Sequence, residues 1–357
     1  MPKELISYQP HQMIFDAYED APLLPGQIRV KTEFAAPKHG TEMHGFRSTG
    51  EGAATYYDGE SHTFLTAEPT GEKTGRAFRP GNMWVGHIVD VASDVENFKV
   101  GERVAGYGTL RETQTVSVNK PKEPGYGGIS DLLKVPEDMK WQQAIFYDPC
   151  QFALSGIRDS HVRLGDVCWI VGLGAIGMMA AQMAKLSGAK LVIVSDPIEK
   201  RRKVALENGA DIALDPLSVD TGYEVKRLTG KHGADVVIET SGTYPGLQGA
   251  LRGVTYGGRI AIVGWFNPCH GNFDLGQEAH MNNATIFFSR ACSEPNPDYP
   301  RWDWTRINET CWALLCEDKL HCDNLVDPVV SFEISAETYM DCVDQNPAKS
   351  LKMGVIF

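Results

Sequence analysis

No Cys-x-x-Cys pair occurs among the eight cysteines, Cys150, Cys168, Cys269, Cys292, Cys311, Cys316, Cys322 and Cys342. The common signatures of a zinc ribbon, a dithiol redox motif or a stapled disulfide framework are therefore missing, and reduced thiols are expected. Positive charge is also short: 34 Lys and Arg against 46 Asp and Glu leave a formal charge of -12. Nucleic acid and anionic membranes call for clustered Lys and Arg, so neither is an expected partner and small molecules are. Long apolar runs are scarce as well. The one uncharged stretch of 18 residues, 167–184, carries three glycines in a turn pattern and a Gln, which suits a strand, turn and helix better than a membrane span. The first residues, Met1-Pro2-Lys3-Glu4-Leu5, lack the basic, apolar and small-residue regions of a secretory leader, so the expected location is cytoplasmic. What is present reads as an ordinary globular chain: 357 residues, 42% hydrophobic and 22% charged, a length that favours two domains over one core.

Two textures divide the chain. Up to about residue 150 short β-prone stretches such as 27–31 and 85–91 alternate with Gly and Pro, the pattern of an irregular, mostly β domain. From Asp166 apolar strands alternate with longer helical segments, as in a parallel sheet covered by helices. Strands are expected at 167–171, 190–195, 212–214, 234–239, 259–263 and 285–289, a helix at 304–317 and a last strand at 354–357. The fold class is α/β, with a Rossmann-type doubly wound parallel sheet.

Between the first of these strands and the helix after it lies Gly172-Leu173-Gly174-Ala175-Ile176-Gly177. Glycines at this spacing have separate tasks: a tight turn, close approach of backbone to a pyrophosphate, and close packing of helix on strand. The helix start near Ala175 and Ile176 then turns its unsatisfied N–H groups toward the phosphates. Asp196 ends the next strand, nineteen residues beyond Gly177, where a carboxylate accepts ribose hydroxyls and repels the extra phosphate of NADP. NAD is the expected cofactor. Lys200, Arg201 and Arg202 follow, and fit the solvated face of a helix.

In the first domain stand Lys38-His39-Gly40-Thr41-Glu42-Met43-His44, then Gly86-His87, then Tyr147-Asp148-Pro149. Their order resembles the medium-chain dehydrogenase/reductase superfamily. Its zinc alcohol, polyol and sugar dehydrogenases carry a Cys-Gly-Thr-Asp-x-His segment, a Gly-His-Glu segment and a Cys or Glu ligand just before the cofactor domain. The resemblance implies a GroES-like, mostly β catalytic domain over 1–153 and 296–357 around a dinucleotide-binding domain over 154–295. It further implies a catalytic zinc, or another divalent metal, on His39, His87 and Asp148, with Thr41 and His44 relaying the hydroxyl proton. Lys352 matches a basic position that in the family contacts the cofactor pyrophosphate. The β-prone run 284–288 resembles a segment that pairs edge to edge across a subunit contact, implying a homodimer or homotetramer.

Departures from that pattern shape the expectation. Residues 106–118 contain no Cys, so no structural zinc is expected. His39 stands where the family usually has Cys, giving a harder ligand set without thiolate, and Ile88 replaces the Glu that often follows the second His. A carboxylate ligand is similar to the polyol and sugar branches. The insert 45–80 offers Tyr56, Tyr57, Asp58 and Glu60 to a polyhydroxylated substrate, and Trp302 and Trp304 suit either a sugar face or helix-start packing. The expected reaction is NAD-dependent, metal-assisted oxidation of a secondary hydroxyl on a sugar, polyol or cyclitol. A redox epimerase that retains NAD and a metal-free reductase of the same superfamily are the alternatives.

Overall fold

The computed structural model describes residues 1–47, 55–66, 77–118, 132–266, 271–293 and 295–357, and the side chains of Thr41 and His44 lie outside what it describes. The chain divides into two compact units, one of Met1–Ile145 with Val326–Phe357, the other of Phe146–Leu325.

The second unit is built on six parallel strands, β1 (Val167–Val171), β2 (Leu191–Ser195), β3 (Ile212–Leu214), β4 (Ala234–Glu239), β5 (Val254–Ile262) and β6 (Thr285–Phe288). They lie side by side in the order β3-β2-β1-β4-β5-β6, the doubly wound arrangement, with β6 at one edge. Every residue of β1 is buried, because helices cover both faces of a central strand and leave no polar side to alternate with. Helix α1 (Ala175–Leu186) follows directly. Later helices start on side-chain caps: Asp220 accepts from the Tyr223 N–H at 3.0 Å and Asp303 from the Arg306 N–H at 2.8 Å. Strand β5 starts at Val254, five residues earlier than expected. Gly257-Gly258 is a bulge inside the strand: Ala234 faces Val254 and Val236 already faces Arg259, with Gly257 at φ +70°.

This unit also reaches beyond the expected 154–295 at both ends. The helices Tyr147–Asp159 and Trp304–Cys316 belong to it, their Tyr147 and Trp312 rings meeting edge to face at 5.6 Å between centroids. Cys150, Cys311 and Cys322 are all buried there, and Arg158 pairs with Asp298 at 2.7 Å. A buried apolar face on each helix decides the boundary, and the texture of the sequence around residues 146–153 and 296–325 does not display it.

The first unit centres on a seven-stranded sheet. The long strand Gln27–Ala36 is flanked by Met83–Val91 on one side and by the closing strand Gly354–Ile356 on the other. Its apolar core gathers Ile28, Val30, Trp84, Ile88, Val104, Tyr339 and Met353. The helix His39–Arg47 begins three residues after Ala36, and a separate hairpin pairs Thr55–Asp58 with Thr63–Thr66. Among the described residues no helix is long and apolar enough to cross a membrane.

The glycine turn makes a stability test. A Cβ on Gly177 would stand 2.0 Å from the Gly172 carbonyl oxygen, a backbone atom, whereas one on Gly174 meets nothing within 4 Å. Gly177→Ala is expected at the upper end of the about 1–3 kcal/mol that overpacking costs. Gly174→Ala is expected to lose no more than about 1 kcal/mol, the difference between Gly and Ala as helix caps. Urea unfolding of the two variants checks the order; equal losses would mean that Gly177 is not held by the close approach.

Candidate active site

In the second unit the three glycines separate by task as the spacing predicts. Gly172 adopts φ +89°, and a Cβ there would lie 2.7 Å from the Ser241 nitrogen, so it serves the turn. Gly177 serves the helix–strand contact. Gly174 caps α1, is half-buried and faces open space, so its backbone is free for a ligand to approach. Ala175 and Ile176 form the first turn of α1, whose leading N–H groups have no partner within a helix. Asp196 is 4% exposed and braces the turn, Oδ2 accepting from the Leu173 N–H and Oδ1 from the Ile198 N–H, each at 2.8 Å. Each oxygen keeps a second lone pair for a ribose hydroxyl. Arg202 is occupied by the Asp196 carbonyl at 2.7 Å and by Asp215 at 3.2 Å, while Arg201 stands 3.7 Å from Asp196 Oδ2.

In the first unit a buried carboxylate organises the turn after Ala36. Glu42 reaches back along its helix, so that Oε1 accepts from the Lys38 N–H at 2.8 Å and from the Gly81 N–H at 2.9 Å. Oε2 accepts from the Tyr339 hydroxyl at 3.1 Å. Burial pushes the Glu42 carboxyl above its ordinary value; the two N–H groups, the Lys352 charge and the Tyr339 hydroxyl work against that rise. Tyr339 is driven far up by burial and by the facing carboxylate. One side chain thus ties the start of the His39–Arg47 helix to the start of the strand Met83–Val91. Gly81 is needed at that junction, because at φ +152° a Cβ would sit 2.3 Å from the Gly108 carbonyl. Lys352, 4% exposed, gives its ammonium to the Pro37 carbonyl at 2.8 Å, beneath the same turn.

Of the expected ligands, His39 and His87 lie in the first unit and Asp148 in the second. His39 Nε2 accepts the Met353 backbone N–H at 3.0 Å. A neutral ring that accepts there carries its proton on Nδ1 and has no lone pair left for a metal. His87 lies five positions inside the strand from Asn82, about 16 Å along it at the usual strand rise. Its Nδ1 faces Glu33 at 2.7 Å, and Arg103 approaches the same carboxylate at 3.5 Å. The residue at the strand start, where Asn82 N–H donates to the Ala36 carbonyl at 3.0 Å, is a buried amide rather than an imidazole. Asp148 is buried in the first turn of its helix in the other unit. Among the described residues no three His, Cys, Asp or Glu side chains are grouped to hold a metal. Strand register pairs His87 with Lys31, five residues along from the Ala36 end where the His39 helix starts, so within the first unit register does not bring the two imidazoles together. Thr41 and His44, expected as the proton relay, fall outside the described side chains.

Two expected substrate contacts are also engaged elsewhere. Trp302 lies between guanidinium groups, Arg158 at 3.4 Å and Arg306 at 4.3 Å from its ring centre, and Trp304 is buried, so neither offers a sugar platform. Asp58 is turned into its own hairpin by Ser61, which holds its carboxyl below the usual range. Tyr339, Asn82 and a buried Glu239 were not anticipated; only Glu239 leaves a trace, as the single carboxylate ending the apolar run of β4.

Comparison with known proteins bears on this arrangement. Residues 175–308 match the family model described as zinc-binding dehydrogenase. The chain is 48% identical to D-guloside 3-dehydrogenase of Escherichia coli (strain K12), covering 99% of this chain and 100% of that one. Sorbitol dehydrogenase of Bacillus subtilis (strain 168) is 29% identical, covering 53% of this chain and 59% of its own. Among solved structures, 2R,3R-butanediol dehydrogenase from Bacillus subtilis superimposes with a TM-score of 0.75 at 20% identity, covering 100% of both chains. Galactitol-1-phosphate dehydrogenase from Escherichia coli does so with a TM-score of 0.74 at 19% identity, covering 99% of this chain and 100% of that one.

The Glu42 clamp yields a direct test. Tyr339→Phe removes one donor from a buried carboxylate and is expected to cost about 1–3 kcal/mol in urea unfolding. An unchanged unfolding midpoint would show that Glu42 does not depend on that hydroxyl.

Proposed function

The chain belongs to the zinc-binding dehydrogenases of the medium-chain dehydrogenase/reductase superfamily, and from that premise we propose that it oxidises a secondary hydroxyl of a glycoside to the ketone with NAD as hydride acceptor. Whole-length identity of 48% with a D-guloside 3-dehydrogenase supports a glycoside and points to the 3-hydroxyl. The single observation that carries the cofactor is the glycine turn, in which Gly174 alone of the three glycines faces open space at a helix start. Asp196 favours NAD over NADP, since a carboxylate beside the ribose accepts two hydroxyls and repels a 2′-phosphate.

The chemistry needs two departures from the substrate: hydride from the carbinol carbon to the nicotinamide, and the hydroxyl proton to a base. We assign the proton path to Thr41 and His44, one helical turn apart on the helix that Glu42 anchors. Zinc is a property of the family, and among the described residues no three His, Cys, Asp or Glu side chains are grouped to hold it. The exposed edge strand β6, with Phe288 80% exposed, supports pairing of two copies into a homodimer or higher assembly.

Incubation with NAD and a panel of glycosides, free sugars and polyols, followed by NADH absorbance and identification of the ketone, tests the reading. Glycosides are expected to be the best substrates. NADP is expected to bind at least about tenfold more weakly, because a like-charge contact costs more than about 1.4 kcal/mol. His87→Ala should leave turnover unchanged, while His44→Ala should lower kcat. Absence of NADH with every substrate, together with absence of dinucleotide binding, would overturn the proposal.

A further inference from the structure

Glu239 ends β4, the strand beside β1 at the point where the strand order reverses, and the general rule for such sheets puts the ligand crevice beyond those strand ends. Its residue is fully buried. The carboxylate turns along the chain to residues two and three positions on: Oε1 accepts from the Ser241 N–H at 2.9 Å and from the Ser241 hydroxyl, and Oε2 from the Gly242 N–H at 3.1 Å. Its backbone carbonyl accepts from Val263 and Gly264, at the end of β5. Residues 240–243 are thereby folded into a tight loop that touches the glycine turn on one side and the loop after β5 on the other. The Thr240 N–H donates to the Val171 carbonyl at 2.8 Å and its hydroxyl to the Gly172 carbonyl at 2.8 Å. Ser241 lies so close to Gly172 that a Cβ there would collide, and Gly242, at φ +62°, leaves no room for one beside the Trp265 carbonyl.

We propose that Glu239 is a positioning residue for the dinucleotide: its ionised carboxylate holds residues 240–243 against the glycine turn, and the cofactor binds well only while that carboxylate is ionised. The inference rests on the nicotinamide reading above. An ionised carboxyl accepts all three bonds, whereas the protonated acid must give its proton to a partner; neither amide N–H can take it, and the Ser241 hydroxyl can do so only by giving up its own donation to the carboxyl. Burial pushes this carboxyl up to about 7, against the pull of the Ser241 and Gly242 donors. The groups that face it are the Ser241 amide and hydroxyl and the Gly242 amide; among the described residues no ionisable side chain contributes to its shift. The sign follows: binding that favours the ionised form releases the proton, so affinity is full above the carboxyl's pKa and declines as pH falls through it.

The test is the dissociation constant for NAD, measured by calorimetry on the intact protein between about pH 6 and about pH 8, for wild type, Glu239→Gln and Ser241→Ala. Wild type is expected to weaken by about tenfold per pH unit below the break, as for one linked proton. Glu239→Gln should bind weakly with no break. Ser241→Ala takes away a donor that favours the charged form, so its break should move to higher pH. A merely structural Glu239 would change affinity or stability without moving the break. Wild-type binding without a break, or the same break in Glu239→Gln, overturns the proposal while leaving the dinucleotide reading intact. Binding of neither NAD nor NADP by wild type at the alkaline end overturns both. Should Glu239→Gln fail to fold by circular dichroism, the direction of the Ser241→Ala shift decides, and an unmoved break overturns the proposal.

Discussion

Everything on the cofactor side depends on how closely two backbones approach at the end of β1. The Cα of Gly177 comes against the carbonyl of Gly172 with no space for a methyl between them. That approach lets α1 start immediately after the strand, brings its N-terminus over the strand ends and leaves Gly174 as the one open glycine. Packing at full density makes such a contact intolerant of an added atom, so a few missing side-chain atoms fix the direction of a whole helix. The apolar strand and the Ala- and Met-rich helix then follow from burial on both faces.

A second device recurs in both units. Glu42, Asp196 and Glu239 are buried carboxylates, and each accepts backbone N–H groups at a place where a strand meets a loop. Loops carry donors that no sheet ladder satisfies, and a buried unpaired N–H is costly. A carboxylate with several lone pairs ties two or three of them to one point. The arrangement ties Lys38 to Gly81, Leu173 to Ile198, and Ser241 to Gly242, so chain segments that approach the reacting groups are held from beneath by charge rather than by apolar packing.

How much of this was legible depended on the range of the interaction. The strands 167–171, 212–214 and 234–239, the turn at Gly172 and the close approach at Gly177 are local facts of period, size and φ, and the structure carries them where the sequence places them. His87 was not legible in that way. A Gly-His dipeptide shows neither how far into its strand it falls nor which residue starts that strand, and pairing of Lys31 with His87 and of Ala36 with Met83 is a matter of register. Lys352 matches the family's basic position by sequence, but its burial on the Pro37 carbonyl depends on the chain returning from residue 352 to residue 37, which no local pattern shows. The reach of the second unit past 154–295 depends on buried faces of two helices far apart in sequence, which composition cannot reveal.

The closing strand Gly354–Ile356 lies between Gln27–Ala36 and Val329–Ser331. That sheet therefore joins residues from opposite ends of the described chain, and on this side it stays open until residue 356 has been made. The unit Phe146–Leu325, by contrast, is one uninterrupted stretch, and all six of its strands leave the ribosome before residue 326 does. Domains generally fold as units in order of emergence. Here Phe34 and Ala35 wait for Ile356 and Val355, so that part of the strand keeps its edge unpaired until the whole of Phe146–Leu325 has been made. The unit begun first is thus the second to have all its strands.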